Sequence, residues 1–176
     1  MIIIHNEDSA LGLATCEPPT RHQQRLTVGA VVDHMGSAAL IPAGSRVARS
    51  ESGRPFLSVA SKLNLSISHS GPWVAVACST HPIGIDVEKR SQVSPEAWSL
   101  FASPAELTIL PPVRIWSIKE ASLKCWDAVG QLSMREIYVN ADGTVGLLGF
   151  PPLRWILHRP PHWPEVVMVV PQQVTA

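Results

Sequence analysis

Two short stretches hold the residue types that carry out metal and phosphate chemistry. In Gly84-Ile85-Asp86-Val87-Glu88 apolar and acidic residues alternate. A strand over them turns Ile83, Ile85 and Val87 to one side and Asp86 and Glu88 to the other, about 7 Å apart. Further along, Trp116-Ser117-Ile118-Lys119-Glu120-Ala121-Ser122-Leu123-Lys124 reads as a helix. Glu120 and Lys124, at i,i+4, project from one face of it, while Ile115, Ile118 and Ser122 turn elsewhere. If helix and strand pack together, three carboxylates and an ammonium converge, a set suited to a magnesium ion holding a phosphate or pyrophosphate.

Each piece also has an ordinary explanation. Asp86 and Glu88 would serve equally as the solvent side of a half-exposed strand, and Glu120 with Lys124 as a surface ion pair of a few tenths of a kcal/mol. Trp116 and Trp126, however, mark the helix as largely buried, and a buried Glu and Lys need more partners than each other. Ser68-His69-Ser70-Gly71 places a histidine at a strand end, where a core or capping role competes with ligation. It is no nucleophile elbow, because the G-x-S-x-G spacing is absent. Walker A and G-x-G-x-x-G loops are absent too, and Gly143, Gly146 and Gly149 are wrongly spaced. Ser103-Pro104-Ala105-Glu106 has the form of a capping box, with Glu106 otherwise a spare acid near the metal. The scattered tryptophans read as packing anchors.

Composition limits what must position these groups. At 176 residues, 45% apolar and 16% charged, the chain is compact and globular rather than disordered. A formal net charge of zero gives no field to steer a polyanion, so nucleic acid is not an expected partner and any phosphate needs local cations. Arg21, Arg25, Arg46, Arg49 and Arg54 are available for that. Cys16, Cys78 and Cys125 are odd in number and form no C-x-x-C, which argues against a disulfide framework or zinc site and for a cytoplasmic protein. Met1 to Ile4 is apolar, but Glu7 and Asp8 follow at once, so neither a signal peptide nor a membrane span is expected.

Along the chain, Met1 to Ile4 fits an opening strand. Pro18-Pro19-Thr20 starts a helix that runs to Gly36 with Arg21, Gln24 and Arg25 on its first turns. After the turn at Ser52-Gly53-Arg54-Pro55, the chain continues through Phe56 to Ser61. Strands are expected around Leu63, Leu65 and Ile67, over Trp73 to Cys78 and over Gly84 to Glu88. Ser94-Pro95 and Ser103-Pro104 are helix starts, and Pro111-Pro112 opens the longest later helix, Arg114 to Asp127, with Gly130 as its stop. Strands return at Arg135 to Asn140, Thr144 to Leu148, Arg154 to His158 and Glu165 to Val170. This order describes two halves of similar plan meeting near Thr80, residues 1–79 and 80–176.

Together these residues resemble the 4′-phosphopantetheinyl transferases, specifically the two-lobe type that activates peptide and polyketide synthases. That family carries, in order, a Gly-[Lys/Arg]-Pro turn, a Ser-His-Ser strand end, a Gly-[Ile/Val]-Asp-x-Glu strand and a Trp-[Ser/Thr/Cys]-x-Lys-Glu-[Ala/Ser]-x-x-Lys helix. Here they are Gly53-Arg54-Pro55, Ser68-His69-Ser70, Gly84 to Glu88 and Trp116 to Lys124. The resemblance implies an α+β pseudo-dimer of two similar lobes with the active site in the cleft between them, acting as a monomer. It implies transfer of phosphopantetheine from coenzyme A to a serine of an acyl or peptidyl carrier protein, with release of 3′,5′-ADP. Asp86, Glu88 and Glu120 would then hold magnesium, or manganese in its place. Glu120 would be the base, Lys124 would stabilise the pyrophosphate, and His69, Arg54 and Arg25 would bind coenzyme A phosphates. The chain departs from the family in being short before the first helix and between Glu106 and Trp116, and in having no basic residue from Cys125 to Ser133. A different magnesium-dependent phosphate enzyme, or a silent binder of a carrier protein or coenzyme A, are the competing expectations.

Overall fold

The computed structural model describes residues 1–5, 8–59, 62–89 and 94–172. Glu7 and Ser61, used above, lie outside the described residues. The chain divides into two compact units, Met1–Ile83 and Gly84–Ala176. Both combine one antiparallel sheet with helices, so the class is α+β.

In the first unit β1 (Ile2–His5) and β2 (Ser9–Thr15) precede α1 (Arg21–Ser37). Next come β3 (Val47–Arg49), β4 (Pro55–Leu57), β5 (Asn64–Ser70) and β6 (Trp73–Ser79). The sheet order is β1-β2-β6-β5-β4-β3. Helix α1 begins where the sequence places it: the Thr20 hydroxyl accepts a hydrogen bond from the Gln23 amide, satisfying a first-turn donor. Its stripe of Val28, Val31, Val32 and Met35 packs with Ala10, Ala14, Val74 and Val76 into one core. Gly12 on β2 admits this contact, since a Cβ there would sit 2.4 Å from Val31 Cγ1.

The second unit starts with β7 (Gly84–Val87). A 3₁₀ turn (Pro95–Ala97), α2 (Trp98–Phe101), α3 (Pro104–Ile109) and α4 (Pro112–Cys125) follow. The chain closes with β8 (Tyr138–Val139), β9 (Thr144–Gly146), β10 (Leu153–His158) and β11 (Val166–Pro171). The sheet order is β7-β11-β10-β9-β8. The strand expected over Arg135 to Asn140 is halved. A capping box between Ser133 and Glu136 winds Met134–Glu136 into a 3₁₀ turn, leaving only Tyr138–Val139 extended. Helix α4 ends at Cys125, before the expected stop at Gly130.

Apart from β1, the two units repeat one connection: a strand, a helical segment (one helix in the first unit, several in the second), then four strands of which the last returns beside the first. The matching orders are β2-β6-β5-β4-β3 and β7-β11-β10-β9-β8. The three cysteines are buried thiols. Among the described residues no helix is long and apolar enough to cross a membrane.

Candidate active site

The site grows from the contact between β7 and α4. Asp86 pairs with Val167, and Gly84 with Val169, on β11, so Gly84 and Asp86 share one side of the sheet. On that side a Cβ at residue 84 would lie 1.8 Å from the Ala121 carbonyl oxygen and 2.9 Å from the Cys125 amide nitrogen. Only glycine lets the two backbones come this close.

Asp86, two residues on, is 3% exposed, and every residue of β7 is buried. The solvent-face explanation of Asp86 is therefore wrong. Lys124 Nζ donates to Asp86 Oδ1 and to the Ile85 carbonyl, both at 2.9 Å. The lysine thus bonds to the strand carboxylate instead of forming the i,i+4 pair with Glu120 that spacing alone favours. Glu120 is half-buried on the same helix. Burial, chiefly, pushes its carboxyl above the usual range; the Lys124 charge opposes this and the Asp86 charge adds to it. Two carboxylates and one ammonium are within electrostatic reach.

Glu88 is half-buried and immediately follows the end of β7. Among the described residues no three His, Cys, Asp or Glu side chains converge as a metal cluster. The donor chemistry nevertheless fits magnesium, which takes one or two carboxylates and completes its shell with substrate phosphates and water. Asp86 and Glu120 supply hard oxygens of that kind.

A second ionic group on α4 escaped the sequence reading. The Lys119 side chain, 1% exposed, donates to the Phe101 carbonyl at 2.7 Å and bridges to Glu106 at 2.8 Å. Glu106 also accepts from the Ser103 amide at 2.8 Å, closing the expected capping box, and from the Val139 amide at 2.9 Å. The two partners respond differently to burial. For Glu106, burial acts to raise the pKa, but the Lys119 and backbone hydrogen bonds outweigh it and hold the carboxyl low. For Lys119 burial prevails over the pairing and lowers the ammonium. Glu106 is thus committed to a structural pair. The missed signal was the helical phase of Lys119, which shares the buried stripe of Ile115 and Ser122.

The cations expected to meet coenzyme A lie in the first unit. Arg25 is exposed on α1, His69 is exposed on β5 between buried Ser68 and Ser70, and Arg54 is half-buried before β4. Arg54 Nη2 donates to Asn64 Oδ1 at 3.3 Å, at the start of β5. Gln24 Nε2 donates to the Gly71 carbonyl at 3.1 Å, which brings the first turns of α1 to the far end of that strand. The Arg54 contact and His69 are therefore separated by five residues of strand, about 17 Å.

A sequence profile of the 4′-phosphopantetheinyl transferase superfamily matches residues 82–158, the stretch containing β7 and α4. A 4′-phosphopantetheinyl transferase of Bacillus subtilis is 33% identical over 95 residues, covering 48% of this chain and 42% of the relative. The 4′-phosphopantetheinyl transferase Sfp of Bacillus subtilis (strain 168) is 34% identical over 89 residues, covering 45% and 40%. The 4′-phosphopantetheinyl transferase gsp of Aneurinibacillus migulanus is 31% identical over 106 residues, covering 54% and 44%. The matched stretches span less than half the length of each of these relatives.

Proposed function

We propose, for a chain that belongs to the 4′-phosphopantetheinyl transferase superfamily, that it moves phosphopantetheine from coenzyme A to a serine of an acyl or peptidyl carrier protein. The observation that carries this reading is the Lys124–Asp86 bond where β7 touches α4, with Glu120 one turn before Lys124 on the same helix, inside the matched stretch. In the proposed step the serine Oγ forms a bond to the phosphorus bearing pantetheine. The bond from that phosphorus to the bridging oxygen breaks, and 3′,5′-ADP leaves. In this reading the serine proton goes to Glu120, the carboxylate that the family resemblance assigns as base.

Asp86 and Glu120, with Glu88 as a third carboxylate, are assigned to a magnesium ion on the pyrophosphate. Bound there, such an ion supplies charge neutralisation to the transferring group. Lys124 would exchange its contact with Asp86 for the pyrophosphate and balance the charge that develops as the leaving group departs. In the first unit, Arg54 and His69 stand too far apart along β5 for one phosphate. The proposal therefore gives them different phosphates of coenzyme A, with Arg25 assigned to the His69 end. The cleft shared by two lobes, implied by the resemblance, belongs to this same proposal.

The test is mass spectrometry of apo carrier proteins incubated with coenzyme A, magnesium and this protein. A mass gain of one phosphopantetheine is expected, lost on chelation and lost in a folded Asp86→Ala variant. No gain on acyl or peptidyl carriers would reject the transfer, and full transfer by Asp86→Ala would reject the assigned site.

A further inference from the structure

We propose that Lys119 is a positioning residue for Glu120: its buried ammonium helps fix the roll of α4 about its own axis and so turns the Glu120 carboxylate toward the side of the helix on which Lys124 meets Asp86. This rests on the transferase reading given above. The ammonium has three protons and three acceptors around it, the Phe101 carbonyl and both oxygens of Glu106. Those acceptors sit at the end of α2 and in the first turn of α3. Glu106 extends the grip to β8 through the Val139 amide. One side chain thus ties three elements to α4.

The other flank of the helix is tied by Lys124, which bonds to β7. At about 100° per residue the two lysines point about 140° apart, and Glu120 lies between them, about 100° from Lys119 and about 40° from Lys124. Apolar packing and the close approach at Gly84 seat the helix on the sheet, and two ionic anchors on either side of one carboxylate narrow its remaining rotation. The tolerance is small. A roll of about 20° swings a group carried about 5–6 Å from the axis by about 2 Å, and a misplacement of about 1 Å costs on the order of a hundredfold in rate. Stability alone is a weak reason for the pair, because apolar side chains of similar volume often replace a buried ion pair without loss.

The test compares wild type, Lys119→Met and Lys119→Met/Glu106→Gln, the last guarding against a fold failure from an uncompensated buried carboxylate. Crystal structures should show the Glu120 carboxylate displaced from Asp86 by about 1 Å or more. In carrier loading, kcat should fall about a hundredfold while KM for coenzyme A stays within about twofold. Adding Lys119→Met to Glu120→Gln should then cost nothing further in kcat, whereas a purely structural loss would persist in that background. A folded double variant with wild-type kcat, or with Glu120 unmoved in its crystal structure, would overturn the proposal. If the wild type loads no carrier, the transfer reading alone fails, and the crystal structures still decide the positioning.

Discussion

The two units build the same strand-helix contact and fill it with opposite chemistry. In the first, Gly12 lets β2 approach α1, and the neighbouring side chains are apolar: Ala10 and Ala14 from the strand, Val28, Val31, Val32 and Met35 from the helix. In the second, Gly84 lets β7 approach α4, and the next residue on the same side of the strand is Asp86, met by Lys124 and influencing Glu120. A repeated frame therefore does not dictate a repeated function. One copy fills the contact with apolar core; the other places ionisable groups in it.

The largest expected effect comes from removing the close approach itself. At Gly84 an added methyl meets the Ala121 carbonyl, a backbone atom that cannot change rotamer, whereas at Gly12 it meets a methyl of Val31. Gly84→Ala should cost about 4 kcal/mol or more, and Gly12→Ala about 2 kcal/mol. Val31→Ala should restore part of the loss at Gly12, while no side-chain change on α4 should rescue Gly84→Ala. Urea denaturation of wild type, Gly84→Ala, Gly12→Ala and Gly12→Ala/Val31→Ala checks this, and equal costs at the two glycines would mean that the two contacts do not differ in kind.

Lys124→Met sharpens the contrast in chemistry. The Lys124 side chain is 22% exposed and that of its partner Asp86 5%, so as a mere ion pair its loss should cost about 1–2 kcal/mol of stability and leave turnover intact at a temperature where the variant is folded. If it stabilises the leaving group, turnover should fall about a hundredfold under the same conditions. Near-normal turnover would make the Lys124–Asp86 contact a structural pair only.

Much of this frame was legible in the chain. Alternation over Gly84 to Glu88 gave β7, and the Ser103 to Glu106 spacing gave the capping box. Strand β2 was not legible, because its residues 10 to 14 are buried on both faces and show no alternation. The Asp86–Lys124 bond spans 38 positions, and local rules favoured Glu120 as the nearer partner. The glycines at 12 and 84 are needed only once a helix lies against each strand, a tertiary condition invisible to local pattern.

Acid should separate the units next. Arg114, first, holds the Glu165 carboxyl below its ordinary value of 4.5, burial opposing and Arg159 assisting, and Glu106 is held low as described. A depressed folded pKa gives stability that is present above the unfolded value and lost as pH falls through the folded one. Glu120 has the opposite sign: the cost of its charged form is relieved by acid, which offsets part of the loss. The net expectation is a second unit that weakens below about pH 4.5. Five of the six tryptophans, all but Trp73, lie in that unit, so fluorescence chiefly reads it. The urea midpoint by fluorescence should drop between pH 7 and pH 3.5, by less in Glu165→Gln; an unchanged midpoint would contradict the ionic account.

The smallest effect is expected from the surface pair of the first unit, Arg46 with Asp33. Its side chains are 67% and 59% exposed, against 15% and 13% for Arg114 and Glu165. Water and salt screen the first pair, and the entropy lost in fixing two mobile side chains offsets most of the attraction, so Asp33→Ala should cost no more than about 0.5 kcal/mol. Glu165 is different: it accepts a two-point contact from Arg114 at 2.7 and 2.9 Å, and its loss strands a half-covered guanidinium. Glu165→Ala should therefore cost about 1–3 kcal/mol, and the gap between the two variants should persist at high salt. Equal costs for both pairs would show that ionic contacts carry similar weight in the two units, leaving the contrast between them confined to the β7–α4 contact.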